Sequence, residues 1–419
     1  MENLPFAHNP LLNADAYVPD AEARVFQDRL YLYGSWDIAG RLDYCSKLYH
    51  VFSSDDLVHW TDHGVSFSTE DSSAAEVWPN GTLYAPDCIC RDGRYYLYFC
   101  LSDGSEGVAE SASPQGPFTN ATPIEGMDGI DPGVFIDDDG QAYIYWGQFD
   151  RVRAARLLPG MRSIDPQSVI QPLSVAEHNF HEGSSMRKHG GLYYYVYADT
   201  GRHGERPTCL GYATATSPLG PFTYRGVIID NFGCDPEVWN NHGSIAEYRG
   251  QWYVFYHRSS RGTIFSRRVC AEPIRFLEDG SIPEVEMTSQ GMGGPIAATE
   301  RLPASLACLL SGHVRIDAGP RGEALAQARE GDCAWFKYLD FGTGVEQALL
   351  HVDGGAGVVE LRLDSPGGAL LAAVQALGGP ALLRVAAAAA GVHALVLVWR
   401  GEGEQLPDVE WVQFTASRA

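Results

Sequence analysis

One phrase recurs five times in this chain. A turn residue is followed by alternating aromatic and apolar positions: DRLYLY at 28–33, GRYYLY at 93–98, GQAYIY at 140–145, GLYYYV at 191–196 and GQWYVF at 250–255. Each copy reads as a half-buried strand entered from a tight turn. The copies stand roughly 47 to 65 residues apart, and a unit of that length built from short strands marks a blade array. Five units predict a five-bladed β-propeller, with four-stranded blades around a central channel.

A polar residue precedes each repeat tyrosine by about 9 to 12 positions: Asp20 before Tyr31, Asp87 before Tyr96, Asp131 before Tyr143, Glu182 before Tyr194 and His242 before Tyr253. In a propeller these five fall at the start of the innermost strands and are expected to converge on one mouth of the channel. Four acids and one imidazole suit cleavage of a glycosidic bond. Acetal hydrolysis needs one protonated carboxyl for the leaving oxygen and one ionised carboxylate for the attacking water. Asp20 and Glu182 are the expected pair. Asp131, in GIDPG at 129–133, is a third acid in phase. Its negative charge is expected to keep Glu182 protonated.

Taken singly, these residues say little. Asp before Pro is commonly a turn residue, and Asp235 and Glu237 are further acids close by. A lone His is more often hydrogen-bonded structure than a ligand. His242 is singled out by its phase, as a water-mediated ligand for a hydrated cation, although Ca²⁺ prefers oxygen donors. Trp36, Trp78, Tyr84, Asp87 and Phe180 are candidate sugar contacts, with core packing the competing role for each aromatic.

Two near copies of another phrase, SPQGPF at 113–118 and SPLGPF at 217–222, predict equivalent outer strands in two blades. Near residue 295 the tyrosine-rich pattern ends. Residues 1–295 are expected to form the propeller, 296–310 a connector, and 311–419 a β-sandwich of jelly-roll type, with alternating strands such as 334–341, 358–364 and 392–399.

A net charge of −23 speaks against nucleic acid or anionic membrane as partner and does not repel a neutral sugar. The first nine residues carry no basic segment followed by an apolar run. The longest apolar stretch, 369–399, is broken by Gly378-Gly379-Pro380 and Arg384. Nine unpatterned Cys read as reduced, buried thiols, and the expected compartment is the cytoplasm.

At these same residues the chain resembles glycoside hydrolase family 43. The resemblance rests on YVPD at 17–20, APD at 85–87, IDP at 130–132, HEG at 181–183, NNHGS at 240–244 and QWYVFYH at 251–257, in that order, and covers about residues 5–295. One departure is that Pro19 precedes Asp20, where many members have Asp followed by Pro. The resemblance implies a five-bladed propeller that inverts the anomeric carbon. It implies Asp20 as general base, Glu182 as general acid, Asp131 as the residue tuning its pKa, and His242 near a channel ion, often calcium. It further implies exo-acting removal of terminal α-L-arabinofuranosyl or β-D-xylosyl residues from plant-derived oligosaccharides, with no organic cofactor. The tail resembles a family 6 carbohydrate-binding module through GVHALVLVW at 391–399 and WVQF at 411–414. Its RVAAAAA run at 384–390 offers no stacking face, so a packing role or a homo-oligomer contact is expected there.

Two other functions fit the same repeats. A non-catalytic sugar-binding propeller needs no acid. A retaining hydrolase of the same fold, acting on fructosyl or galactosyl ends, holds its carboxyls about 5–5.5 Å apart, against about 6.5–9.5 Å for inversion. The chain has neither a WMNDP opening nor an ECP segment, both of which mark the fructan-type enzymes.

Overall fold

The computed structural model describes residues 8–204, 206–375, 379–386, 389–403 and 405–417. Part of the amino-terminal reading and part of the alanine run fall outside these.

Residues 22–274 form five antiparallel sheets in chain order. Blade one is Glu22–Phe26, Arg29–Tyr33, Leu48–Ser54 and Thr61–Ser68 (β1–β4). Blade two is Asp87–Arg91, Arg94–Cys100, Ser105–Ser111 and Thr119–Asp128 (β5–β8). Blade three is Gly133–Ile136, Ala142–Trp146 and Arg153–Arg156 (β9–β11). Blade four is Phe180–His189, Leu192–Asp199, Cys209–Ala215 and Thr223–Ile229 (β12–β15). Blade five is Ser244–Tyr248, Gln251–Ser260 and Thr263–Ile274 (β16–β18). The first strands β1, β5, β9, β12 and β16 neighbour one another in a closed ring. This is the expected five-bladed propeller, but two blades have three strands rather than four.

The recurring phrase is the second strand of every blade, and its composition follows from its place. Side chains alternate across a strand, and here both faces are buried between blades. Leu30 and Leu32 pack against Phe255 and Val269 of blade five, while Tyr31 and Tyr33 pack against Leu97 and Phe99 of blade two. Tyr98 meets Ile144 and Trp146, Tyr145 meets Tyr195, and Tyr194 meets Val254 and Tyr256. Tyrosine is tolerated in these seams because its hydroxyl finds a partner at the rim. Tyr33 donates to the carbonyl of Pro114 at 2.6 Å and Tyr145 to that of Pro218 at 2.7 Å. Those prolines belong to the duplicated SPxGPF phrase, which leads into β8 and β15, the outer strands of blades two and four.

The ring is closed by the amino-terminal segment. Leu11 N donates to Val269 O at 3.0 Å. The Asn9 side chain accepts from Ala271 N at 2.8 Å and donates to Ala271 O, Glu272 Oε1 and Thr288 O.

An ionic cluster fills the channel. Arg24 reaches both carboxylate oxygens of Asp87, through Nε at 2.9 Å and Nη2 at 2.5 Å, and also the carbonyl of Val134. Arg187 pairs with Glu22 and donates to Ala23 O.

The chain then forms two facing sheets around a core that includes Leu350, Leu361, Leu397, Trp399, Val412 and Phe414. Residues 296–310 are not a free connector: Ile296–Ala297 and Leu309–Ser311 pair with Cys333–Asp340, and Leu302–Pro303 pairs with Asp408–Ala416. The sandwich docks on the propeller through Glu323, which takes two hydrogen bonds from Arg268 at 2.6 and 2.5 Å. All nine Cys are free thiols, eight of them buried. No helix among the described residues is long and apolar enough to cross a membrane.

Candidate active site

Four of the five phased residues meet. Asp20, Asp131, Glu182 and His242 line one pocket of about 220 Å³, with Tyr84, Arg267, Gln148, Arg206 and Trp239. That is below the roughly 300–1,000 Å³ usual for drug-sized ligands, so it suits a single sugar ring.

Local backbone geometry aims the acids. Asp20 and Asp131 each sit just before an inner strand with φ of 59° and 58°, a left-handed conformation that Asp tolerates better than most residues. Glu182 lies within β12 at a break in the ladder, where the register shifts on either side. Such bulges re-aim a side chain. Gly183 follows with φ of 80°, and a Cβ there would lie 2.8 Å from His242 Cδ2. Only glycine fits between the acid and the imidazole.

Asp20 is 7% exposed. Ser35 Oγ donates to its Oδ2 at 2.7 Å and Arg267 Nη1 to its Oδ1 at 3.1 Å. Burial alone would raise its pKa, but Arg267, His242, His257 and the Ser35 hydroxyl together hold it below the usual value. Arg267 is itself fixed by Asp37, at 2.9 Å from both Nε and Nη2, and lies over the Tyr44 ring. Burial lowers the pKa of His242, leaving a neutral ring whose Nδ1 stands 3.7 Å from Asp20 and 3.8 Å from Asp131.

Asp131 and Glu182 are shifted in opposite directions, which the sequence did not predict. Burial, then the charges of Glu182 and Asp20, push Asp131 well above the usual carboxylate range. Glu182 goes the other way, to about 2: burial is outweighed by His181, Arg206 and Gln148, whose Nε2 donates to Glu182 Oε2 at 2.7 Å. The expectation that Asp131 keeps Glu182 protonated is thus reversed in the free site. Glu182 has His181, Arg206 and Gln148 around it, whereas for Asp131 the Gly183 N–H and Arg267 do not offset burial and the two neighbouring acids.

The other sugar-contact candidates lie elsewhere. Asp87 is the buried partner of Arg24 and also accepts from Val134 N at 2.7 Å. Its offset from the repeat tyrosine is nine, against eleven or twelve for the other four, and at an offset of twelve stands Tyr84, which does line the pocket. Trp36 stacks on His50 with centroids 4.2 Å apart. Trp78 packs edge-on against Phe99, and Phe180 is fully buried against Tyr197. Asp235 is spent on a turn, accepting from Glu237 N and Gly262 N, and Glu237 is exposed. Neither lines the pocket. Arg267, Arg206, Gln148 and Trp239 escaped the sequence reading. The one visible signal was the charged pair Arg267-Arg268 inside a largely buried strand.

For a divalent cation, the donor set here is a neutral imidazole with two carboxylates beside it. Hard cations take oxygen ligands, and the Asp20 and Asp131 oxygens near His242 fit that need.

Inner strands that gather three carboxylates around one pocket place this chain among the propeller enzymes working by acid–base chemistry. The chain belongs to glycosyl hydrolases family 43, whose model matches residues 7–282. Residues 311–416 match the carbohydrate binding module (family 6). A xylosidase/arabinosidase of Thermoclostridium stercorarium is 37% identical over 349 residues, 72% of each chain. One of Bacteroides ovatus is 34% identical over 64% of this chain and 95% of its own. Among solved structures, a family 43 arabinoxylan arabinofuranohydrolase from Bacillus subtilis in complex with cellotetraose covers 98% of this chain and 99% of its own, with 26% identity and a TM-score of 0.58. A β-xylosidase/α-arabinofuranosidase from a compost metagenome, in complex with xylotriose and calcium-free, has 32% identity and a TM-score of 0.59 over 68% of this chain and 98% of its own.

Proposed function

We propose that this enzyme releases single terminal β-D-xylosyl or α-L-arabinofuranosyl residues from hemicellulose-derived oligosaccharides, with inversion. The observation that carries the reading is the pocket: three acids from three blades around a space of about 220 Å³. Names borne by the relatives supply the pentose.

Asp20, ionised by its cationic surroundings, takes a proton from the water that attacks the anomeric carbon. Glu182 gives a proton to the glycosidic oxygen as the bond to it breaks. The incoming hydroxyl ends on the face opposite the departed group. A bound substrate sets its glycosidic oxygen, an acceptor, against Glu182. That favours the protonated carboxyl on Glu182, while Asp131 gives up its own proton. Asp131 then serves as the anion that holds Glu182 in its acid form. Arg267 fixes Asp20 and excludes other rotamers. A calcium ion, where bound, would be held near His242, Asp20 and Asp131 and would supply fixed positive charge to the acids.

A panel of nitrophenyl pentosides and hexosides tests the reading. Turnover of β-xyloside or α-arabinofuranoside is expected, and turnover of hexosides alone contradicts it. A purely sugar-binding propeller predicts instead that Glu182→Gln leaves every measured behaviour intact.

A further inference from the structure

β13 ends at Asp199 and β14 begins at Cys209, and the loop between them carries Arg206 to the pocket. A second cluster of donor groups stands at the foot of this loop. The ladder between β14 and β15 pairs Leu210 with Ile229, so its next step sets Cys209 opposite Asp230. Residues opposite one another project from the same face of a sheet. His203 completes the group from the loop, with Nε2 2.8 Å from Asp230 Oδ2. The Cys209 sulfur, a His203 ring nitrogen and an Asp230 oxygen all lie within 4.8 Å of one another. None of the three residues lines the pocket of acids.

A four-coordinate zinc ion makes bonds of about 2.0–2.3 Å, which sets its ligand atoms about 3.3–3.8 Å apart. The spacing here brackets that range, so small side-chain rotations close the site. Thiolate and imidazole suit Zn²⁺, whereas Ca²⁺ and Mg²⁺ want oxygen alone. The side chains of His203 and Asp230 are 22% and 16% exposed, which leaves an ion a way in, and Cys209 meets it from below. Supporting contacts orient two of the ligands, as metal sites require. The Phe232 ring lies against His203 with centroids 4.7 Å apart, and Phe232 N donates to Asp230 Oδ1 at 2.9 Å, leaving Oδ2 for the ion. Arg202 Nη1 also stands 3.2 Å from Asp230 Oδ2, but Arg202 faces both oxygens of Glu284 at 2.5 and 2.7 Å, so its charge is matched without Asp230.

We propose that His203, Cys209 and Asp230 bind one Zn²⁺ ion, with water as the fourth ligand, and that the ion fastens the loop that carries Arg206. The Cys209 thiol gives its proton to solvent as the sulfur binds the metal. His203 and Cys209 stand on either side of Arg206 in the chain, so the ion ties the loop across its length. Arg206 Nη2 donates to His181 Nε2 at 2.7 Å, and that nitrogen is 3.3 Å from Glu182 Oε2. The ion thereby steadies a contact that ends at one of the acids.

The test titrates the chelator-stripped full chain with Zn²⁺ by calorimetry and with Co²⁺ by absorption. One Zn²⁺ per chain is expected to bind and to raise Tm. Co²⁺ is expected to show tetrahedral d–d bands and a thiolate charge-transfer band. His203→Ala is expected to weaken Zn²⁺ binding by more than about 100-fold, since even partners outside the ligand shell are worth about 10–100-fold. Cys209→Ala is expected to lose the charge-transfer band, which assigns it to this thiol among the nine. Should that buried substitution prevent folding, the partly exposed His203→Ala decides alone. Absence of Zn²⁺ binding by the unsubstituted chain overturns the proposal. So does an affinity unchanged in His203→Ala, or bound Co²⁺ without a thiolate band.

Discussion

Gly183 donates its backbone N–H to Asp131 Oδ2 at 3.1 Å, so the residue that follows one acid along the chain is gripped by another acid from the next blade. This bond sets the distance over which Asp131 acts on Glu182. Asp131→Asn keeps an acceptor for Gly183 but removes the charge. Without a neighbouring anion Glu182 loses its proton more readily. The alkaline limb of kcat, which reports the substrate complex in which Asp131 is the anion, is therefore expected to move to lower pH, with kcat falling about 10²-fold or more. A pH–rate profile measures both.

The two carboxyls proposed as acid and base should separate by leaving group. Glu182→Ala is expected to lower kcat/KM on xylobiose by about 10²–10⁴ and to affect β-D-xylosyl fluoride far less, since fluoride departs without a strong proton donor. Asp20→Ala removes the base and is expected to depress both substrates alike. Steady-state kinetics on the pair decides this.

Arg267 holds Asp20 in its charged form at 3.1 Å. Arg267→Met removes that cation, so the pKa of Asp20 rises. As the proposed base Asp20 must be ionised, and the acidic limb of kcat/KM should accordingly move to higher pH by about 1–3 units. Loss of stability from leaving Asp37 unpaired is read separately, from thermal unfolding.

Asp87 offers a different contrast. Its carboxylate compensates Arg24 in the channel and does not line the pocket. Asp87→Ala leaves the buried Arg24 guanidinium with Glu22, 3.3 Å away, as its remaining carboxylate, and is expected to cost up to about 3–5 kcal/mol of stability, seen as a fall in Tm. KM of the folded fraction should hardly change. A raised KM with Tm intact would restore Asp87 as a sugar contact.

Closure of the ring hangs on Asn9, whose side chain makes four hydrogen bonds to blade five and the segment beyond it. Asn9→Ala is expected to destabilise the propeller by about 2–6 kcal/mol, at roughly 0.5–1.5 kcal/mol for each of the four buried bonds. Denaturant unfolding measures it.

What the sequence disclosed was periodic. Buried second strands leave an alternating aromatic signature, and five of them set the blade count and the phase of Asp20, Asp131, Glu182 and His242. Asp87 shows the limit of that reasoning, for an offset two or three residues short turns a side chain from the pocket mouth into the channel. Arg206 and Trp239 come from loops that carry no repeat, so no phase could point to them. Trp36, Trp78 and Phe180 had the right type of side chain, but an aromatic that packs a blade seam and one that stacks on sugar look alike in a sequence. The reversed proton preference of Asp131 and Glu182 depends on His181, Arg206 and Gln148 lying beside one acid only. That is a property of three-dimensional neighbours, not of spacing.

The most direct measurement is proton NMR of the sugar first released from a β-D-xyloside, taken before mutarotation mixes the anomers. Two carboxyls serving acid and base across one pocket predict α-xylose as the initial product. Initial release of β-xylose would mean a covalent intermediate and would contradict the roles given to Asp20 and Glu182.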